Sequence, residues 1–525
     1  MRNSLNRKTQ INESNSKKTL RNSIIAVVAQ IISFLLVFVN RKIFVIFLDI
    51  DYLGYQSLFS NIFTLLSVAE LGIGSAISFH LYKEIVNANH DEIGRLMYVY
   101  KMVYRIVALI VLVAGIGCYF LIPYIVKDTS LTPEYLAVIY FMQLGSIFLG
   151  YFLSYKKIIL TASQQEYKIT IVNLSVSVSI QVLQIFFLFL FKNYLVYLAI
   201  NLSTGLIENL ILSSKIDKQY PFLKRKYSVD KAYLQEKNFG ENVKHVIVHK
   251  ICYAIYGGTD NIVISSFLGI RSVAIYSNYL VVQKSVMNIL FYKLLNPVQA
   301  TIGNIVYSER SKDELWEQFQ ILDVFSFFFA TFITLGFLVF FQPFIQLWMG
   351  EDYLLPFSFV ALFCITIYFG AVWELVYKYR SVFGDFRQDV WFMVASAVLN
   401  IAISIPGAIF FGIPGIQFGT LVAFFPIAIG RIRFVVKNYF GKSMSKYLIK
   451  HLALFFVAVF EGAVCIAVTI WMPVDIPFFL ARGVVWLIVP AIINVILFSR
   501  NKHFKGMIAY FKNLLHSFFK KKINR

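Results

Sequence analysis

Six polar or charged residues stand inside long apolar runs of this chain: Asn40, Arg41, Glu70, Asp260, Asn261 and Lys284. A charge at the centre of a membrane helix costs about 2.5–3.5 kcal/mol on insertion scales, so it faces a cavity or a partner. Arg41 and Lys284 suit an anionic ligand such as a pyrophosphate, with Asn40 and Asn261 alongside as hydrogen-bonding groups. Glu70 and Asp260 are the carboxylates at comparable depth and are the candidates for ion coupling, to a proton or Na+. Each residue also has a plainer reading. Arg41 and Lys42 can snorkel to the headgroups, as Lys101 and Arg105 are expected to do. Glu70 is too short for that, so its alternative is a structural ion pair or a neutral helix contact. Asp260 shares that alternative, with Arg41 or Lys284 as its partner. Glu374, Glu461 and Arg482 lie nearer helix ends and carry no expectation.

The elements that must position these groups follow from composition. Of 525 residues, 58% are apolar and 17% aromatic, and only 15% are charged. A soluble domain is nearer one-quarter charged. Spanning a hydrocarbon core takes about twenty apolar residues in a helix, and only helices or closed barrels satisfy the backbone there. Such runs occur near 22–48, 53–84, 96–126, 134–160, 168–191 and 194–215. More follow near 243–268, 272–305, 314–348, 353–377, 388–412 and 415–437, with a final pair at 448–472 and 478–498. The fold class is therefore an all-α polytopic membrane protein of about fourteen helices.

Charge in the connections sets the expected orientation. The net charge is +21, held in short segments between apolar runs rather than in a patch for nucleic acid. Connections near 49–53, 127–134, 192–193, 269–272, 349–352, 412–415 and 473–477 hold three basic and seven acidic residues. The opposite side holds the basic stretches: six basic and no acidic residues over 431–450, and eight and none over 500–525. By the positive-inside rule both termini are expected in the cytoplasm.

The chain also reads as a duplication. Shifted by 220 residues, Phe47, Leu48, Ile50 and Ser57 fall on identical residues, and Asn40 falls on Asp260. The organisation expected is a basic tail (1–21), an N-lobe (22–215), a basic connector (216–242), a C-lobe (243–437), a helix pair (448–498) and a basic amphipathic tail (499–525). Two even-numbered halves are parallel repeats, and a polar cavity is expected between them on the first, second, seventh and eighth helices. The connector is expected to be a solvated linker over anionic lipid. The tail places Phe504, Met507, Ile508, Phe511, Leu515 and Phe518 on one face, the pattern of an interfacial helix.

No Walker A loop, HExxH, dinucleotide fingerprint or GxSxG is present. The four cysteines lack metal-ligand spacing. No enzyme chemistry, metal or cofactor is expected, only a proton or Na+ if transport is ion-coupled.

The stretch Asp51-Tyr52-Leu53-Gly54-Tyr55-Gln56-Ser57-Leu58-Phe59-Ser60-Asn61, continuing to Ala69-Glu70-Leu71-Gly72-Ile73-Gly74-Ser75-Ala76-Ile77, resembles bacterial Wzx-type polysaccharide flippases. These belong to the multidrug/oligosaccharidyl-lipid/polysaccharide exporter superfamily. Gly258-Thr259-Asp260-Asn261 with Ser272-Val273-Ala274-Ile275-Tyr276 is similar to the same family's helix 7–8 region, and the likeness spans residues 20–500. It implies a two-lobed carrier in the bacterial inner or plasma membrane. Its substrate would be an undecaprenyl-diphosphate-linked oligosaccharide repeat unit for capsule or exopolysaccharide. Its partners would be membrane lipids and the polysaccharide polymerase machinery. The alternatives are a lipid II-type flippase, a drug/cation antiporter of the same superfamily, and, from another class, a polysaccharide polymerase. If Glu70 or Asp260 couples transport to an ion, its Gln or Asn variant loses dependence on the proton or sodium gradient. Export assays at clamped gradients check this, and unchanged dependence in both variants removes them from that role.

Overall fold

The computed structural model describes residues 31–67, 73–230, 254–292, 311–383 and 389–509, with a few isolated positions between. Among them every regular element is helical. The first, α1, covers 31–47. It is followed by α2 (Asp51–Leu66), α3 (Ile73–Val86), α4 (His90–Tyr119), the short α5 (Ile122–Ile125), α6 (Pro133–Ser154), α7 (Lys157–Ala162), α8 (Glu166–Phe191) and α9 (Tyr194–Gln219). After the connector come α10 (Asp260–Leu268), α11 (Ile270–Val286), α12 (Lys312–Trp348), α13 (Phe357–Val372), α14 (Glu374–Phe383), α15 (Val390–Phe411), α16 (Ile413–Ile432), α17 (Met444–Thr469) and α18 (Ile476–Phe498).

Nine of the described helices are long and apolar enough to cross a membrane, and a tenth span forms if α13 and α14, bent by 41°, count as one. The other four expected spans, at 22–48, 53–84, 243–268 and 272–305, each run into residues outside the described set. Turns fall where polar residues can satisfy helix ends. Asn89 caps α4, accepting from the Glu92 amide at 3.2 Å. Asp475 caps α18 through the Phe478 amide at 2.8 Å. Ser311 and Glu314 form a capping box on α12. That helix has 37 residues, about 56 Å, so it outruns a hydrocarbon core of about 30 Å. Its first turns carry Asp313 and Glu317, which pair with Lys442 and Lys502.

Two compact units emerge, Met1–Ser277 and Asn278–Arg525. The division falls within α11 rather than in the connector, because α10 and the start of α11 pack with the first unit. Gly54 of α2 permits this. A Cβ there would collide with the carbonyl oxygen of Ile270, so only glycine lets the two backbones approach so closely. The turns at 48–50 and Gly269 lie 220 residues apart, so both stretches joined by the sequence repeat are helix–turn–helix units.

In the described part of the connector Lys224, Arg225 and Lys226 are exposed, while its aromatic residues pack on protein. Phe222 stacks on His90 at 4.5 Å, the Tyr227 ring fills the space over Gly94, and the Tyr233 hydroxyl donates to Glu92 at 2.7 Å. Aromatic residues interleaved with the basic ones hold this segment on the start of α4.

In the second unit, α15 and α16 cross at Gly407 and Gly415, where a Cβ on either residue would strike the other's backbone. In the C-terminal tail, residues 502–509 are helical, with Phe504 on Phe328 at 5.2 Å and Gly506 against Ile321. Its first turns therefore cover α12, while Phe511, Leu515 and Phe518 lie outside the described residues. Large apolar side chains stay exposed on α8 (Phe186, Phe189, Leu190) and α18 (Leu480, Val484, Leu487, Ile488), as a lipid-facing surface requires. Replacing Gly54 with Val should destabilise the first unit by about 1–3 kcal/mol, the usual cost of overpacking. Thermal unfolding of the purified protein in detergent would show a lowered midpoint; an unchanged midpoint contradicts the close approach.

Candidate functional site

Within the first unit, α1, α2, α8 and α9 line an open cavity of about 230 Å³. Helical spacing brings its lining together. Ser177, Gln181 and Gln184 recur on one face of α8, and Tyr197, Asn201 and Thr204 on one face of α9. The two helices are joined by Lys192 and Asn193. Lys192 takes a left-handed conformation at φ 46°, and Asn193 caps α9 through the Leu195 amide at 2.8 Å. This tight reversal sets the two polar faces opposite each other. Asn40 and Arg41 of α1 and Gln56 of α2 supply the remaining polar lining.

The walls are braced by the same groups that line them. Asn40 Nδ2 donates to Gln184 Oε1 at 3.1 Å, and the Tyr197 hydroxyl donates to Asn40 Oδ1 at 3.2 Å. Gln181 donates to Ser177 at 3.1 Å, which leaves Gln181 Oε1 without a partner among the described residues. Thr204 Oγ1 is likewise buried and without a partner among them. Aromatic packing stiffens one side: Phe44 meets Tyr197 edge-on at 4.8 Å, and Tyr52 stacks on Tyr194 at 4.3 Å. Arg41 is the cationic residue of the lining, and its guanidinium donates to Ser277 Oγ. It is half-buried and turned onto protein rather than extended to a membrane surface. Five neutral amides, three hydroxyl groups and one guanidinium form a lining that both donates and accepts. Such a lining suits a polyhydroxylated ligand carrying a negative group.

Asn40 and Arg41 thus share a cavity. Asp260 and Asn261 are buried on α10, at 7% and 3% exposure. Asp260 accepts from Tyr276 at 3.3 Å, one residue before the Ser277 that Arg41 reaches. Asn261 Oδ1 has no hydrogen-bond partner among the described residues. Lys284 is exposed on α11, in the second unit. Glu70 lies outside the described residues. The sequence reading missed Gln56, Ser177, Gln181, Gln184, Tyr197, Asn201 and Thr204 because it sought charges. Their signal was amides and hydroxyls recurring every three or four residues in otherwise apolar helices.

Charges in the second unit are mostly paired. Arg380 Nε donates to Asp389 at 3.0 Å, and both residues are buried. Arg482 donates to the carbonyls of Met472 at 2.7 Å and Pro473 at 2.9 Å, closing the end of α17. Glu374 pairs with Lys378 at 3.4 Å. Among the described residues no group of three or more His, Cys, Asp or Glu side chains could hold a metal ion.

Residues 19–300, just over half of the chain, match the family described as polysaccharide biosynthesis protein. The chain belongs to that family. No curated protein matches it. Among solved structures, this family member is similar to the lipid II flippase MurJ in an inward closed conformation. The TM-score is 0.64 at 14% identity, over 92% of this chain and 98% of that one. An inward-facing multidrug resistance MATE family transporter of the MOP superfamily matches at TM-score 0.54 and 14% identity, over 78% and 98%. The Vibrio cholerae MATE transporter VcmN matches at 0.55 and 14%, over 80% and 95%. This member of the polysaccharide biosynthesis family therefore has the fold of the matched lipid II flippase and MATE transporters.

The Asn40–Gln184 pair gives a direct test of the cavity wall. Leucine at either position alone strands the other amide and should cost about 1–3 kcal/mol, whereas the double variant should cost less than the sum. A double-mutant cycle of unfolding free energies in detergent measures this coupling. Simple additivity contradicts the bond.

Proposed function

We propose that this protein flips an undecaprenyl-diphosphate-linked oligosaccharide repeat unit from the inner to the outer leaflet for surface polysaccharide synthesis. The observation that carries the reading is the amide-lined cavity with Arg41, built into apolar helices of a polysaccharide biosynthesis family member. A sugar hydroxyl stripped of water without a new partner costs about 4–8 kcal/mol on a hydrocarbon scale. Several sugars and a pyrophosphate therefore need a polar route. In this reading Gln56, Gln181, Asn201 and Thr204 replace water around the hydroxyls, and Arg41 meets the anionic end of the head group. Lys284 and Asn261 are further contacts for that head group along the route. The lipid tail stays in the bilayer, and alternating access exposes the head group to each side in turn.

The same reading places the protein in the bacterial inner or plasma membrane, with about fourteen spans and both termini in the cytoplasm. Ion coupling through Glu70 or Asp260 belongs to it as well, as does cooperation with a polymerase. A lipid II-type substrate is the second reading. The match with the lipid II flippase takes in 92% of this chain, against 78% and 80% for the two multidrug transporters, which favours a lipid-linked substrate over a drug.

A deletion strain should lose surface polymer and accumulate lipid-linked repeat units on the cytoplasmic leaflet, and plasmid-borne protein should restore both. Arg41→Ala should fail to restore polymer while reaching normal membrane levels; Lys284→Ala should weaken restoration. Intact polymer in the deletion strain overturns the reading. Single repeat units on the outer leaflet would point to a polymerase instead.

A further inference from the structure

Glu461 is buried in the second unit, with its side chain on the inner face of α17 and 0% exposure. Among the described residues neither carboxyl oxygen has a hydrogen bond of normal geometry. The groups that interact with it are few. The Asn494 amide of α18 lies alongside it, and the Tyr368 hydroxyl of α13 and the Cys465 thiol of its own helix are within electrostatic reach. Asn494 Oδ1 and the Tyr368 hydroxyl are themselves buried and without hydrogen-bond partners among the described residues. On the α12 side, Leu335 and Leu338 close over the adjacent Gly462. Among the described residues no basic side chain acts on the carboxylate. Arg482, the charged residue of α18, is committed to the carbonyls at the end of α17. Lys450 and His451 are held by Asp323 at 2.6 and 3.2 Å.

An ionised carboxylate left in such surroundings without a counter-charge is strongly disfavoured. It is stable there only with a single positive charge bound, and the nearby atoms offer oxygen for it. We propose that Glu461, with Asn494, is a binding site for a monovalent cation, a proton or Na+, in the C-terminal helix pair. The site belongs to the second unit and does not depend on the identity of the transported head group.

A ligand that binds the folded state stabilises it by mass action, so unfolding reads occupancy without any transport assay. The full-length protein in detergent would be unfolded thermally at pH 6 and pH 9, in Na+ and in choline, beside Glu461→Gln. For a proton, the wild-type midpoint falls from pH 6 to pH 9 in either salt, and that part of the fall is lost in Glu461→Gln. For Na+, the wild-type midpoint rises in Na+ over choline at pH 9, and the variant shows no rise. Should Glu461→Gln fold poorly, Asn494→Leu keeps the carboxyl and should weaken the same response rather than remove it. A Glu461→Gln protein that responds as wild type does, or a wild type that responds to neither cation, overturns the site. Intact surface polymer in the deletion strain, with the cation response of the purified protein present, would count against the flippase reading alone.

Discussion

The structure depends on the cost of a polar group in hydrocarbon. Because a bilayer offers no water, each backbone amide must bond within its own helix and each polar side chain must find a partner or a cavity. That requirement makes the chain a set of long helices reversed by short capped turns. It also sorts the side chains. Phe186, Phe189 and Leu190 stay exposed on α8, while Ser177, Gln181 and Gln184 of the same helix turn inward. One helix is thus lipid-facing on one side and cavity-facing on the other.

The cavity is a consequence of how these inward groups meet their bonding needs. Asn40, Gln184 and Tyr197 satisfy one another across three helices. Gln181 Oε1 and Thr204 Oγ1 retain capacity for a further donor. The wall is therefore partly self-satisfied and partly available, which a site needs if it is to hold its shape when vacated and still bind strongly enough to matter. Neutral amides serve this better than ions, since they exchange one hydrogen bond for another at little cost. The single guanidinium adds attraction for an anion without filling the cavity with charge.

The sequence made much of the fold legible. Apolar runs near 168–191 and 194–215 became α8 and α9 at Glu166–Phe191 and Tyr194–Gln219, because hydropathy and the Lys192-Asn193 reversal agree. Arg41 and Asn40 were also legible, as polar residues at a depth where they need a reason. The neutral residues opposite them were not, since an amide in an apolar helix is a weaker signal than a charge. Burial at Asp323 and Glu461 was hidden for another cause: helix register against neighbours decides it, and a single chain read alone carries no register. In the connector the basic residues were the visible signal, whereas the packing of Phe222, Tyr227 and Tyr233 on the start of α4 depends on register and was not.

Binding by the purified protein tests the central claim most directly. A polyprenyl diphosphate bearing its oligosaccharide would be compared by native mass spectrometry with the same lipid lacking sugars. The account predicts tighter binding of the saccharide-bearing lipid, with the increment lost in Gln181→Leu and the diphosphate contribution reduced in Arg41→Ala. Equal binding of both lipids, or an increment untouched by Gln181→Leu, would contradict it.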